Sequence, residues 1–376
     1  MRVVVTSPMG HRWSSGLLAV ALLIVCAPST AIAQHEPIHI GIYSDEWESG
    51  LDIRNLGVVG GAKLTFGGTF HRPGEGRANT LHILEQVWRA EATPVANLEI
   101  FSSSDTIASG YRDASIREWA GHVQAWLDRG EGRSLFIAPL AEMNGDWVPW
   151  GMDPESYPDA FRQVVTIFRE MGMDETQVRW IWAPNSETTW PLAMTSFWPG
   201  SDYVDAVGVS AYNLGGDPED WRSASESLHL ASQVLRTVAR DKPFLITQIG
   251  SSPEGGEKDE WISDMFDFVA ADPNMIGFVY FNFDKEANWK VWDGFEAAPG
   301  WVEAVERHTV VHSWPLTDWF QPGPLTLDRV FGRERPEQPE RATEPAFRGS
   351  DFIPGVYRGY LLEIFVGWDR PGPVPE

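Results

Sequence analysis

The sequence predicts a (β/α)8 barrel, also called a TIM barrel, with a short C-terminal extension. Eight short apolar runs, most of them continuous, are typical of parallel strands that are buried on both faces. Amphipathic segments lie between these runs, with hydrophobic residues at helical spacing. Eight strands with intervening helices in about 250 residues fit this barrel, and a doubly wound open sheet is the alternative fold.

The predicted strands follow the apolar runs in chain order. They are Ile38–Tyr43, Ala62–Phe66, Thr93–Ile100, Leu135–Leu140, Val178–Ala183, Val204–Val209, Phe244–Thr247 and Ile276–Phe281. The predicted helices contain the apolar stripes within residues 81–88, 116–127, 157–168, 228–238 and 261–269. Asn79 is the expected N-cap of the first helix, and the connection between Ala183 and Val204 indicates a degenerate helix.

The first 33 residues have the pattern of a secretory signal peptide. Two arginines precede an apolar run from Gly16 to Ala27, and small residues predict cleavage after Ala33. The run is too short to span a bilayer, although an uncleaved anchor is the alternative. The single cysteine, Cys26, lies inside the run, so the mature chain has no disulfide bond. We therefore expect a secreted or periplasmic protein with no membrane contact after cleavage.

The remaining chain is expected to form one large domain and a tail. The barrel is assigned to residues 34–308, and the C-terminal extension to residues 309–376. Within the extension, a charged and proline-rich stretch at about 333–345 is typical of a linker. The apolar segment Phe352–Trp368 follows it and is expected to dock on the barrel or to contact a partner.

The charge of the chain restricts its partners. The formal net charge is −24, which disfavours binding to nucleic acid or to an anionic membrane. A monomer that acts on a neutral polysaccharide or oligosaccharide suits this surface. The sequence contains 19 tryptophans, and those on loops are candidates for stacking on sugars. No motif indicates a metal or nucleotide cofactor.

One stretch carries the candidate chemistry. The run Leu135–Leu140 leads to Glu142, and Trp147 and Trp150 follow within a turn-rich loop. A carboxyl group beside aromatic rings is what glycoside hydrolysis needs, since the acid protonates the glycosidic oxygen and the rings stack on sugars. The alternative is an acid at the start of a helix, near ordinary surface tryptophans.

Polar and aromatic residues also follow the later predicted strands, where a barrel places its active site. They are Trp182 and Asn185, Tyr212 and Asn213, Gln248, Asn282 and Trp289. Each of these residues alone is more typical of a cap or a loop. Their convergence on one rim of the barrel is the reason to consider them together.

Several motifs resemble glycoside hydrolase family 26, which is best known for β-mannanases. The resemblance covers residues 38–304 and is carried by residues 142–151 (EMNGDWVPWG), 182–185 (WAPN), 198–205 (WPGSDYVD), 208–213 (GVSAYN), 242–250 (KPFLITQIG) and 281–289 (FNFDKEANW). It implies two catalytic residues on strands four and seven, with Glu142 as the acid/base. It also implies that Tyr212 hydrogen-bonds the strand-seven residue and that Trp289 stacks on the sugar. The other residues named above are then substrate-binding candidates.

The chain departs from the pattern of that family at two positions. Ala141 replaces a histidine that usually precedes the acid, and Gln248 replaces the nucleophilic glutamate. Because an amide cannot form the covalent intermediate, four alternatives remain. Glu254 or Glu257 takes over as a base, with inversion of configuration, or the protein only binds glycan. Otherwise Gln248 orients the substrate's own acetamido nucleophile, or the protein is a transglycosylase or lyase.

Overall fold

The computed structural model describes residues 37–49, 57–187 and 193–332. The predicted signal peptide, the linker at 333–345 and the segment Phe352–Trp368 lie outside the described residues, so these assignments and the domain limits stay predictions. Within the described ranges, no helix is long and apolar enough to cross a membrane.

Eight parallel strands close into a barrel, as the sequence predicts. They are β1 (Ile38–Tyr43), β2 (Phe66–His71), β3 (Thr93–Leu98), β4 (Leu135–Pro139), β5 (Val178–Trp182), β6 (Ala206–Asn213), β7 (Phe244–Ser251) and β8 (Met275–Phe281). Each strand pairs with the next along the chain, and β8 pairs with β1 to close the barrel. The (β/α)8 fold is therefore confirmed.

Helices surround the strands. They are α1 (Glu46–Ser49), α2 (Arg77–Arg89), α3 (Ser104–Ala108), α4 (Asp113–Leu127), α5 (Tyr157–Glu170), α6 (Ala224–Val238), α7 (Lys258–Ala271), α8 (Pro299–Arg307) and α9 (Leu327–Phe331). Two short 3-10 helices, Met194–Phe197 and Ser201–Tyr203, lie between β5 and β6. This agrees with the degenerate helix expected there.

The prediction for the second strand is wrong. Ala62–Lys63 instead forms a small antiparallel pair with Val58–Val59, and β2 begins at Phe66. The glycines Gly67 and Gly68 concealed this strand, because glycine is depleted in strands. Here they permit close packing: a Cβ on Gly68 would lie 2.5 Å from the Tyr43 ring.

The N-cap expected at Asn79 is also wrong. Helix α2 begins earlier, with Gly76 as its N-cap residue. Asn79 lies inside its first turn, and its backbone N–H donates to the Gly76 carbonyl. The apolar stripe that marked the helix begins one turn after the backbone becomes helical, because the first turn faces solvent.

Side chains alternate between the inside of the barrel and the surrounding helices. On β1, Ile40 and Ile42 pack in the outer core, whereas Tyr43 belongs to the inner cluster. On β3, Ala96 and Leu98 face outward, and Val95 faces inward. The same alternation turns Asn97 of this strand towards the barrel interior.

A segment after α8 closes the N-terminal end of the barrel. Val310–Val311 pairs with the start of β1, and the Trp319 ring lies 5.0 Å from the His39 ring. The buried Arg179 guanidinium donates to three carbonyl oxygens of this segment, those of Trp319 (3.1 Å), Gln321 (2.7 Å) and Gly323 (2.9 Å). This end is therefore packed shut, and the opposite end carries the site.

Candidate active site

The backbone after β4 is bent so that Glu142 reaches the mouth of the barrel. Leu140 and Glu142 both have left-handed backbone conformations, with φ of 54° and 61°. Such conformations cost about 1–3 kcal/mol each for non-glycine residues and cluster at functional sites. Neighbouring strands hold them, since the Glu142 N–H donates to the Ala183 carbonyl at 2.8 Å.

The Glu142 carboxylate is buried and hydrogen-bonded. Only 3% of the residue is exposed, and the Trp147 indole N–H donates to its Oε2 at 2.7 Å. Burial raises the pKa of Glu142, while hydrogen bonds from Trp147 and Asn185 act against that rise. A carboxyl group whose pKa is raised by burial is suited to donate a proton near neutral pH.

Trp147 owes its position to a glycine. A Cβ on Gly145 would lie 2.3 Å from the Trp147 ring, so the ring packs directly on the backbone there. The ring is half-buried and its N–H is used by Glu142. Of the tryptophans expected at the site, Trp147 is therefore the one that both contacts the acid and retains an exposed surface.

Asn144 ties the loop after β4 to the loop after β5. Its amide donates to the carbonyls of Asn185 (2.9 Å) and Glu187 (2.7 Å), and its carbonyl accepts from the Asn185 N–H (2.8 Å). Asn144 is fully buried. These bonds fix Asn185 beside Glu142, which places one predicted site residue next to the acid.

Gln248 lies on β7 and is hydrogen-bonded as the resemblance implies. The Tyr212 hydroxyl donates to Gln248 Oε1 at 2.8 Å, which confirms the predicted contact. The Tyr212 ring packs against Trp289 at 5.3 Å and Phe281 at 5.5 Å. Gln248 is 3% exposed, so its amide is part of a packed wall.

The structure corrects the expectation that Trp150, Trp182 and Trp289 are open platforms for sugar. Trp150 is 1% exposed and donates to the Ala141 carbonyl at 2.8 Å. Trp182 is fully buried in the outer core, where it packs on Trp198 at 5.1 Å. Trp289 is 1% exposed. Sequence spacing cannot reveal this, because tryptophan is also a large core residue.

Two of the asparagines also have structural partners. Asn282 accepts hydrogen bonds from the backbone N–H groups of Val291 (2.9 Å) and Trp292 (3.0 Å) and donates to the Trp292 carbonyl (2.8 Å). Asn213 donates to the Ser251 hydroxyl at 3.0 Å. Both side chains organise loops at the mouth, which corrects the expectation that they are free for sugar hydroxyls.

Sequence reasoning missed Glu99, which follows β3 directly. It is 6% exposed, and its N–H donates to the His71 carbonyl at 2.9 Å. Burial raises the pKa of Glu99 to about 7; the charges of Arg72 and Lys285 oppose the rise, and that of Glu142 adds to it. The apolar run predicts a strand that extends to Ile100, which places Glu99 inside the strand and not at its end.

Four polar groups in the same region have no hydrogen-bond partner among the described residues. They are the Tyr43 hydroxyl, the Asn97 side-chain carbonyl, the Ser210 hydroxyl and the Trp289 indole N–H. All four residues are at most 3% exposed. Buried polar groups in native proteins are nearly always paired, and exceptions call for an explanation. A polar ligand rich in hydroxyl groups would supply partners for them.

Exposed aromatic rings lie on the segments that follow β3 and β8. Phe101 is 40% exposed, Tyr111 is 82% exposed and Phe295 is 91% exposed. Phe101 packs edge-on against Trp150 at 5.9 Å, with the Arg72 guanidinium 5.5 Å from its ring centroid. Phe101 thus offers the accessible ring face that Trp150 was expected to provide.

Part of the chain is similar to known glycoside hydrolases. Residues 80–251 match the model of Glycosyl hydrolase family 26. The chain is 30% identical to Endoglucanase H of Acetivibrio thermocellus over 211 residues, which cover 53% of this chain and 22% of the relative. It is 25% identical to Mannan endo-1,4-beta-mannosidase A and B of Caldalkalibacillus mannanilyticus over 234 residues, which cover 58% and 41%. The chain therefore spans less than half the length of these relatives.

Solved structures show the same fold. GH26C from Muricauda sp. superposes with a TM-score of 0.58 at 15% identity and covers 77% of this chain and 91% of that chain. A Cellulomonas fimi endo-beta-1,4-mannanase double mutant superposes with a TM-score of 0.55 at 16% identity and covers 79% and 74%. At these identities the likeness supports the barrel alone.

Proposed function

We propose that the protein hydrolyses O-glycosidic bonds of a β-linked polysaccharide, with Glu142 as the general acid/base, because residues 80–251 match the model of Glycosyl hydrolase family 26. The observation that carries the proposal is the buried Glu142 carboxylate, held by Trp147 at the mouth of the barrel. Its raised pKa suits proton donation to a glycosidic oxygen.

β-Mannan is the proposed substrate, because mannan endo-1,4-beta-mannosidases recur among the relatives. The relatives also include an endoglucanase and a beta-1,3-xylanase, so the test uses several polymers. Exposed rings at Phe101, Tyr111 and Phe295 favour a polymer over a small sugar, since they extend the surface on which sugars stack. We further propose that the protein is secreted and acts as a monomer.

The second candidate is a glycan-binding protein that does not cleave its ligand. The observation that favours it is Gln248, whose neutral amide accepts a hydrogen bond from Tyr212 where the resemblance implies a nucleophile. A glutamine cannot form the covalent intermediate of a retaining hydrolase. Binding without turnover would then use the same mouth and the same aromatic surface.

The experiment compares wild type, Glu142→Gln and Gln248→Glu on β-mannan, mixed-linkage β-glucan, β-1,3-xylan and an acetamido-bearing polymer. Wild type should release reducing ends from β-mannan, and Glu142→Gln should lose about 10²–10⁴-fold in rate. Glycan binding by all three proteins without release of reducing ends would support the second candidate. Cleavage of the acetamido polymer alone would indicate that the substrate supplies its own nucleophile.

A further inference from the structure

Hydrolysis needs a second group besides the acid, and the structure offers a carboxyl group that the family resemblance did not point to. In the described part of the chain, Glu99 and Glu142 are the two buried glutamates, at 6% and 3% exposure. Glu254 and Glu257, the candidates suggested by the sequence, are both exposed. Of these glutamates, Glu99 is therefore the one that is as shielded from solvent as Glu142.

The fold places Glu99 inside the barrel mouth. Strands β3 and β4 are neighbours, with Leu98 opposite Pro139, so the ends of both strands meet at the same rim. Leu98 faces the helices, and alternation therefore turns Glu99 inward. Glu142 reaches the same mouth through the bend in the backbone after β4.

Charges on several elements act on Glu99. The charges of Arg72, after β2, and Lys285, after β8, favour its ionised form, and the charge of Glu142 opposes it. Burial raises the pKa of the Tyr43 hydroxyl, at the end of β1, and the charges of both carboxylates add to that rise. This hydroxyl is also one of the buried polar groups without a partner among the described residues. The carboxylates thus share one buried polar region with an unpaired donor.

We propose that Glu99 is the general base of the hydrolysis and replaces the carboxylate that Gln248 lacks. This inference rests on the proposed function. In the reaction, the oxygen of a water molecule bonds to the anomeric carbon while the bond from that carbon to the glycosidic oxygen breaks. Glu99 takes the proton of the water, and Glu142 gives its proton to the leaving oxygen. One proton then returns from Glu99 to Glu142 through solvent, which balances the cycle.

This assignment has a consequence for stereochemistry and for pH dependence. Attack by water without a covalent intermediate inverts the anomeric configuration. The two carboxyl groups must together hold one proton in the reactive state, which is how paired carboxyls divide the roles of acid and base. Loss of the base should remove the acidic limb of the pH profile of kcat/KM, since that limb reports its deprotonation.

The test uses the full chain and the polymer that wild type cleaves, with proton NMR recorded directly after mixing. A β-linked polymer should first yield α reducing ends. Glu99→Gln should lower kcat about 10²–10⁴-fold, with KM nearly unchanged. Formate should partly rescue Glu99→Ala. On an aryl β-glycoside with a good leaving group, Glu142→Gln should recover most of its activity and Glu99→Gln should not, because only the acid becomes dispensable.

Glu254→Gln and Glu257→Gln are the matched controls and should retain wild-type rates. Retention of configuration, or activity of Glu99→Gln within ten-fold of wild type, would overturn the assignment of Glu99. If wild type is inactive and Gln248→Glu is active, Glu99 does not replace the missing carboxylate, although the hydrolase site is sound. If both proteins are inactive on every polymer, the proposed function itself fails.

Discussion

Glu99→Gln should make the protein more stable at alkaline pH, because the buried carboxyl group is expensive to ionise. The pKa of Glu99 is raised from 4.5 to about 7, mainly by burial. For a carboxyl group whose pKa is higher in the folded state, the fold has its full stability below the pKa of the unfolded state. That stability is lost as pH rises through the pKa of the folded state, because the buried group is harder to ionise. At about 1.4 kcal/mol per pH unit, the cost to wild type at pH 8 is about 3 kcal/mol. Glutamine avoids this cost.

The assay is urea unfolding of the full chain at pH 4 and pH 8. The difference between the unfolding free energies of variant and wild type should be about 3 kcal/mol more favourable to the variant at pH 8 than at pH 4. Effects of lost packing cancel in this comparison, because they are the same at both pH values. A change below about 1 kcal/mol would refute the reasoning, since it would mean that Glu99 ionises as it does in water.

Glu75→Gln is a control with the opposite expected sign. Although burial opposes it, the His71 ring and hydrogen bonds from His71, Thr80 and Trp119 lower the pKa of Glu75. Its contribution is therefore present at neutral pH and lost as pH falls. Relative to wild type, the unfolding free energy of Glu75→Gln should therefore be lower at pH 8 than at pH 4. If both substitutions changed the relative stability between pH 4 and pH 8 in the same direction, the cause would be a general effect of charge and not the burial of one carboxyl group.

Three further predictions concern the acid, the closed end and the sugar surface. Trp147→Phe removes the indole donor to Glu142, so the pKa of Glu142 should rise and the alkaline limb of the pH profile of kcat/KM should move to higher pH. The control is Trp198→Phe, outside the barrel, which should leave that limb in place. Arg179→Met should lower the unfolding free energy by about 3–5 kcal/mol, because it removes the ion pair with the partly buried Asp205 and the donor to three carbonyl oxygens of the closing segment. Arg117→Met, on the exposed surface, should cost less than about 1 kcal/mol in the same denaturation experiment. Phe101→Ala in the Glu142→Gln background should weaken binding of a mannan oligosaccharide by about 1–2 kcal/mol in calorimetry, and unchanged affinity would exclude Phe101 from the site.

The barrel was predictable because seven of its eight strands are marked by apolar runs. The exception, β2, contains Gly67 and Gly68, where packing against Tyr43 and Val87 excludes a side chain. That requirement comes from tertiary contacts and leaves no hydrophobic signal. The contact between Tyr212 and Gln248 was predictable from the resemblance and is confirmed.

The rest of the candidate site was less accessible to sequence reasoning. Glu99 is a single acid at the end of an apolar run, and only the alternation of β3 shows that it faces inward. Trp150 and Trp289 lie on loops, yet both are buried by contacts that are distant in sequence. The burial of a tryptophan on a loop depends on the packing of other loops, which spacing along the chain does not encode.

The most direct test of the central claim is the release of reducing ends from β-mannan by purified wild type, measured beside Glu142→Gln at equal concentration. The account predicts steady release by wild type and a rate about 10²–10⁴-fold lower in the variant. Wild type and Glu142→Gln should bind the polymer with similar affinity, since the substitution keeps the shape of the side chain. Equal rates of release in the two proteins would contradict the assignment of Glu142 as the acid of a hydrolase.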